Sequence, residues 1–265
     1  HFGLPALGVA GAAVSTTISR GVAMGLLLFI LFRKKLHFPL SCLWPFPFHL
    51  LRKMLAIGLP SGGEQLSYSL SQVVITYFTN LLGNEALAAR TYAMNIVTFS
   101  YVFAMAVGQG GGICIGHLIG KGRRNAALSL GRYCVRITLM ISFTVALLAA
   151  LLGRTVMGLL SDNPEVIALT ALILRIDVAL ELGRAVNILY VNFLRATGDA
   201  MYPFVIGLIF MWGVATAGSY VFGNLLGFGL AGMWVAFTFD EGIRAAFFWR
   251  RWESRKWMGR SVVGR

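Results

Sequence analysis

The chain has 265 residues, of which 57% are hydrophobic and 12% are charged, and its mean hydropathy is +0.75. A soluble domain carries roughly 25% charged residues and a disordered chain has low hydrophobicity, so composition excludes both classes. The 23 Lys and Arg against 10 Asp and Glu give a net charge of +13. Basic cytoplasmic loops of a membrane protein explain this excess. We therefore expect an all-α polytopic membrane protein, surrounded by membrane lipid, with no nucleic-acid partner.

Seven apolar stretches are long enough to cross the hydrocarbon core as helices, which takes about 20 residues. Their approximate bounds are 8–32, 54–82, 86–119, 128–152, 166–194, 202–226 and 230–248. None shows the alternating pattern of a membrane β-barrel. Turn residues at Lys121–Asn125, Ser161–Glu165 and Arg195–Asp199 separate some of these stretches. The sequence therefore predicts about seven transmembrane helices.

Basic residues are distributed unequally between the two ends of these helices. One side carries nearly all of them, including Arg33–Lys35, Lys121–Arg124 and the C-terminal Arg and Lys residues, whereas the other has only Arg90 and Arg154. The basic side is predicted to be cytoplasmic, which places the C-terminus inside the cell.

Enzyme and cofactor signatures do not occur. The three cysteines, Cys42, Cys114 and Cys134, are scattered and form no CxxC pair, and neither HExxH nor GxSxG is present. Such spacing indicates no disulfide framework and no zinc site. We expect a protein that is not an enzyme and binds no cofactor.

Polar side chains within the fifth stretch fall on one helix face. Asp177, Glu181 and Arg184 are at positions i, i+4 and i+7, and Asn187 follows three residues later. Glu181 and Arg184 could neutralise each other and only orient the helix. Alternatively the face forms the wall of a wet cavity, because Asp177 has no further basic partner on it.

Glu64 is the second candidate site. It follows Pro60 in a polar run, has no base within a turn or two of its own helix, and lies about 15 Å along the axis from Met54. A buried carboxylate without a counter-ion stays protonated or binds a cation. We therefore predict exchange of H⁺ or Na⁺ at Glu64, with a protonated Glu bonded to a helix neighbour as the alternative.

Two further patterns predict packing. Asp240 and Arg244 are four residues apart, which favours an intrahelical salt bridge over a transport site. The glycines of Gly108–Gly112, with Gly116 and Gly120, favour close contact between helices over the alternative of a helix loosened so that it can bend.

Three segments together resemble the multidrug and toxic compound extrusion (MATE) family. Gly58–Gln65 is similar to the start of its seventh helix, and Ala88–Gly122 to its eighth helix and the following loop. Leu194–Asp199, with Tyr202 and Pro203, resembles its LRxxGD-xxxP stretch. The residues that match the family motifs are Pro60, Gln109, Gly116, Arg195, Gly198, Asp199 and Pro203.

The resemblance implies the C-terminal half of a twelve-helix transporter with two six-helix lobes. Residues 1–32 would be the final helix of the N-terminal lobe, 33–53 a cytoplasmic connector, 54–250 the C-terminal lobe and 251–265 a basic tail. An N-terminal lobe would then be the missing partner. The implied activity is efflux of cationic or polyaromatic compounds across the bacterial inner membrane by H⁺ or Na⁺ antiport.

The chain departs from the NorM branch of the family at two positions. Tyr68 stands where that branch has a seventh-helix Glu, and Arg184 where it has a tenth-helix Asp. The candidate cavity residues are Glu64, Gln65, Tyr68, Asp177, Glu181, Arg184 and Asn187, with Glu64 and Asp177 as candidate Na⁺ ligands. A lipid-linked oligosaccharide flippase and a non-transporting remnant of a truncated gene are the alternatives.

Overall fold

The computed structural model describes residues 8–33 and 48–259, which form helices joined by short turns. The helices are α1 (Gly8–Arg33), α2 (Phe48–Asn80), α3 (Asn84–Gly120), α4 (Arg124–Leu160), α5 (Pro164–Ala196), α6 (Met201–Leu225, including two π-helical segments) and α7 (Gly229–Glu253), followed by a short 3₁₀ turn (Lys256–Gly259). Each predicted stretch is thus helical. Most of the predicted connector and the last residues of the predicted tail, 34–47 and 260–265, lie outside the described part.

The chain divides into two compact units, residues 1–51 and 52–265. In the first, the apolar side chains of α1 are largely exposed. Four segments of the described chain are long and apolar enough to cross a membrane: Ala13–Arg33, Asn84–Gly120, Arg124–Leu160 and Met201–Leu225. The remaining long helices, α2, α5 and α7, carry most of the charged side chains described below.

Helix α5 lies at the centre of the second unit and packs against α3, α4 and α7. Helices α3 and α4 bury stripes dominated by Ala, Gly, Ser and Thr at intervals of three or four residues. Small residues allow membrane helices to approach closely and gain van der Waals contact, which replaces the hydrophobic driving force that is lost in lipid.

The glycines of α3 confirm the predicted close packing in part, since Gly108, Gly111 and Gly112 lie against α5, whereas a Cβ added to Gly110 or Gly120 would meet no neighbouring atom within 4 Å. A Cβ atom added to Gly111 would lie 2.9 Å from Cε1 of Phe193 on α5. On the other side of α5, a Cβ added to Gly183 would lie 2.8 Å from the carbonyl carbon of Glu241 on α7. At these two glycines α5 contacts the ring-facing side of α3 and the backbone of α7, and a methyl group at either position would force neighbouring atoms to shift.

Helix α6 differs from the regular span that the sequence predicts. It is α-helical over Met201–Phe210 and then contains two wider π-helical turns, Met211–Thr216 and Ser219–Leu225. Its buried residues include every fourth position from Pro203 to Gly223. At about 100° per residue, four residues of a regular helix overshoot a full turn by roughly 40°. The wider turns keep this stripe facing the bundle.

Candidate functional site

A cavity of about 520 Å³ lies among α2, α3, α5, α6 and α7, within the size range of small-molecule sites. Its charged lining residues are Glu64, Arg90, Arg184, Arg195, Asp240, Glu241 and Arg244. Aromatic and apolar side chains cover much of the remaining wall, among them Tyr68, Met94, Tyr101, Met105, Trp234 and Phe237. Of the predicted cavity residues, Glu64, Gln65, Tyr68, Arg184 and Asn187 line it, and Asp177 and Glu181 do not.

Glu64 forms an ion pair, so the expectation that it lacks a counter-ion is wrong. Its Oε2 lies 2.6 Å from Nη2 of Arg195, near the end of α5. Gly207 on α6 faces the same carboxyl group, and a Cβ at that glycine would lie 3.7 Å from Cδ of Glu64. The partner lies 131 residues away in sequence, and no pattern along α2 could have indicated it.

The polar face of α5 contains an ion pair that also reaches the cavity. Arg184 Nη1 lies 2.8 Å from Glu181 Oε2, and Nη2 lies 3.8 Å from Asp177 Oδ1. Asp177 Oδ1 also accepts a hydrogen bond from Trp234 Nε1 at 3.1 Å. The Glu181–Arg184 pair considered as one alternative is therefore present, and Arg184 and Asn187 of the same face also line the cavity. The expectation that Asp177 lacks a basic partner is wrong, because Arg184 bridges both carboxylates.

Helix α7, which packs against α5, also has one arginine shared by two carboxylates. Arg244 pairs with Asp240, as predicted, and its Nη2 also lies 3.0 Å from Oε1 of Glu241. Asn187 joins the two helices by donating to the backbone oxygen of Glu241 at 2.9 Å. We call Asp177, Glu181, Arg184, Asp240, Glu241 and Arg244 the α5–α7 belt. It contains four carboxylates and two arginines.

Two buried carboxylate oxygens of the belt, Oε1 of Glu181 and Oδ1 of Asp240, have no hydrogen-bond donor in the described chain. A buried acceptor without a donor is unfavourable unless a proton or cation is present. Within the described residues, no three His, Cys, Asp or Glu side chains group together as a metal site. Glu64 and Asp177 as Na⁺ ligands thus remain a prediction.

Arg90 on α3 is one of the cavity residues that the sequence analysis missed, since it was counted with the charges at the outer ends of the helices. Its side chain is buried, with 9% exposure. Nη1 donates to Thr76 Oγ1 at 2.6 Å and Nη2 to Gln72 Oε1 at 2.9 Å, both on α2. The signal that could have found it is the helical period, because Arg90 falls on the stripe that contains Ala86, Ala93 and Val97.

The residues of the LRxxGD-xxxP stretch join three helices. Arg195 reaches Glu64 on α2, and Gly198 adopts φ 90° in the turn after α5, a conformation that favours glycine. Asp199 is buried and accepts from Arg251 Nε of α7 at 2.7 Å. Pro203 lies buried in the first turn of α6, where its missing N–H costs nothing. Of these, only Arg195 lines the cavity.

The other motif residues lie on α2 and α3. Pro60 is buried within α2, one turn before Glu64. Gln109 lines the cavity. Gly116 faces the end of α5, where an added Cβ would lie 3.9 Å from the backbone oxygen of Ala196.

Comparison with known proteins gives matches over most of the chain. The family model described as MatE matches residues 60–221. The "Uncharacterized transporter YisQ" of Bacillus subtilis is 39% identical over 264 residues, which is 99% of this chain and 58% of that protein. A "Probable multidrug resistance protein NorM" of Thermotoga maritima is 25% identical over 264 residues, 100% of this chain and 57% of that protein.

Solved structures share the fold. "MATE transporter ClbM in complex with Rb+" matches with a TM-score of 0.80 and 18% identity, covering 96% of this chain and 57% of that one. "Crystal structure of MATE in the straight conformation" matches with a TM-score of 0.72 and 19% identity, covering 78% and 46%. The chain thus spans about half the length of the relatives it matches.

Proposed function

The chain belongs to the MATE family of membrane transporters, and we propose that it contributes the C-terminal lobe of a secondary transporter that exports cationic or polyaromatic compounds in exchange for H⁺ or Na⁺. The observation that carries this proposal is the α5–α7 belt, where four carboxylates share two arginines beside a cavity of ligand size. If all six groups are ionised, the belt has two more negative than positive charges.

The excess of negative charge in the belt supports the binding of a cation. Charged side chains within a membrane are costly and are usually retained for ion pathways or substrate sites. The two buried carboxylate oxygens without donors, on Glu181 and Asp240, are the points at which a proton or a small cation would relieve the surplus. Glu64, which lines the cavity on α2, is a second carboxylate that a cation could reach by competing with Arg195.

The proposed transporter works by rocking of two lobes around a central site. In this arrangement α1 ends the N-terminal lobe, the other described helices form the C-terminal one, and all seven cross the inner membrane with the C-terminus in the cytoplasm. The partner is the portion that the longer relatives possess in addition. The comparisons do not favour the flippase alternative.

A double-variant experiment tests coupling at Glu64. We would produce the chain together with the N-terminal portion of the transporter and measure drug efflux from inverted vesicles under imposed H⁺ or Na⁺ gradients. We expect Glu64→Gln to abolish gradient-driven export with normal expression, whereas Arg195→Gln, which keeps the carboxylate, retains gradient dependence. Combining both changes should not restore export.

The opposite pattern identifies a purely structural pair. If the ion pair only joins α2 to α5, each single change leaves an uncompensated charge and should impair export equally, and the double variant should recover it. That recovery, or unchanged export in Glu64→Gln under both gradients, would remove Glu64 from the coupling mechanism.

The Asp177→Asn variant tests whether a carboxylate of the belt contributes to coupling less strongly than Glu64. Asn keeps an oxygen that can accept from Trp234 Nε1 but removes one of the two carboxylates that share Arg184. We expect weaker transport or a shifted pH dependence, less severe than for Glu64→Gln. Export that matches the unmodified protein at every pH would show that Asp177 does not contribute to coupling.

A further inference from the structure

Arg90 differs from the other arginines that line the cavity. Arg184, Arg195 and Arg244 each pair with at least one carboxylate, whereas no described carboxylate forms an ion pair with Arg90. Its neighbours, Thr76 and Gln72, are neutral. Arg90 therefore places an unneutralised positive charge in the wall of a cavity that Asp240 and Glu241 of the belt also line.

The hydrogen bonds of Arg90 also remain incomplete. A guanidinium has five N–H donors, and the two bonds to α2 leave at least one on each terminal nitrogen. Nε is buried without a partner in the described chain. A buried charge that is unpaired is costly, and such residues within a membrane usually mark a ligand site.

We propose that Arg90 binds the anionic group, a carboxylate or its equivalent, of the transported compound; this inference rests on the proposed function and defines the substrate further. The charged groups of Arg90 and Glu64 lie at two separate points along the wall of the cavity. Arg90 contacts Gln72, which lies eight residues from Glu64 on α2, or roughly 12 Å along the helix. Between them, Tyr68 and the apolar side chains of the wall suit an aromatic body. The site thus accepts an amphipathic molecule whose carboxylate lies at the Arg90 end.

Two dyes that differ at one group provide the test. Rhodamine 110 carries a free carboxylate, and rhodamine 123 is its methyl ester, so both share the cationic ring system. Binding of each dye to the chain, produced together with the N-terminal portion of the transporter and placed in lipid nanodiscs, would be measured by fluorescence anisotropy at neutral pH. We expect the acid to bind about tenfold more tightly, as a charge-assisted hydrogen bond to a buried guanidinium implies.

Substitutions at Arg90 test whether this residue causes the preference for the acid. Arg90→Gln should lower the affinity for the acid about tenfold and leave that for the ester unchanged, while Arg90→Lys should retain part of the preference because it keeps the charge. Arg154→Gln, an exposed arginine of α4, is the matched control and should change neither affinity. The comparison of dyes on the unmodified chain remains decisive even if Arg90→Gln does not fold.

The outcomes separate this inference from the function on which it rests. Equal affinity for both dyes, or tighter binding of the ester, overturns the role of Arg90 and leaves the cavity as a substrate site. A preference for the acid that persists in a folded Arg90→Gln variant also overturns it. Failure of both dyes to bind would contradict the proposed function, and the inference with it.

Discussion

Replacing Gly183 by Ala tests whether the backbones of α5 and α7 touch as described. The added Cβ would lie 2.8 Å from the carbonyl carbon of Glu241 and 2.9 Å from the nitrogen of Gly242. Ordinary contacts of a Cβ begin at 3.4 Å, so the helices must separate by about 0.6 Å, the difference between 3.4 and 2.8 Å. The clash is with backbone atoms, and no side-chain rotation relieves it.

The size of the effect follows from two opposing terms. Overpacking of a close contact costs about 1–3 kcal/mol, whereas Gly→Ala within a helix gains about 1 kcal/mol in helix propensity. Gly242→Ala at the same crossing is the matched control, because its Cβ would meet nothing within 4 Å. It gains the propensity term alone. The difference between the two variants therefore isolates the overpacking cost of about 1–3 kcal/mol.

The measurement is the thermal unfolding midpoint of each variant in detergent. For a protein of this size, each kcal/mol shifts the midpoint by about 2–4 °C, so Gly183→Ala should unfold several degrees below Gly242→Ala. Export should fall in the same variant, because separation of the helices weakens the bond from Asn187 to Glu241. Equal midpoints for the two variants would refute the close backbone contact.

Three further predictions concern topology, the turn after α5 and the requirement for a second lobe. In a cysteine-free background, a membrane-impermeant thiol reagent applied from outside should label Asp162→Cys and not Asn125→Cys; the reverse pattern would invert the proposed orientation. Asp199→Asn should lower stability by about 1–2 kcal/mol, seen as an earlier midpoint, because Arg251 loses a charge-assisted bond; an unchanged midpoint would contradict this. The chain alone in liposomes should not export, and supplying the N-terminal portion should restore export, because alternating access needs two bundles; gradient-dependent efflux by the chain alone would point instead to two copies facing each other.

Features that depend on local sequence could be predicted. The helical stretches follow from runs of apolar residues, and the start of α5 follows from Asn163, whose side chain accepts from the backbone N–H of Glu165 as an N-cap. Pairs within one helix, such as Glu181 with Arg184, follow from their spacing of three or four residues.

Contacts between distant helices could not be predicted in this way. The partner of Glu64 on α2 comes from α5, 131 residues away in the chain. Arg90 lies at the start of the predicted stretch 86–119 and was counted with the charges at the outer helix ends, because hydropathy alone does not show which way a side chain near a helix end points. Contacts between helices of a bundle depend on how each helix is rotated about its axis and which helices are neighbours. The periodicity of apolar residues in a single sequence does not determine these pairings.

The wider turns of α6 make this helix tolerant of changes in chain length. A π-helical turn accommodates an extra residue without interrupting the helix, so removing one residue from Met211–Thr216 could return it to regular winding. Among related proteins, a one-residue gap can therefore fall inside this membrane segment rather than in a loop. Alignments that forbid gaps within helices would then misplace every residue from Ala217 onward by one position, and would pair buried positions with exposed ones.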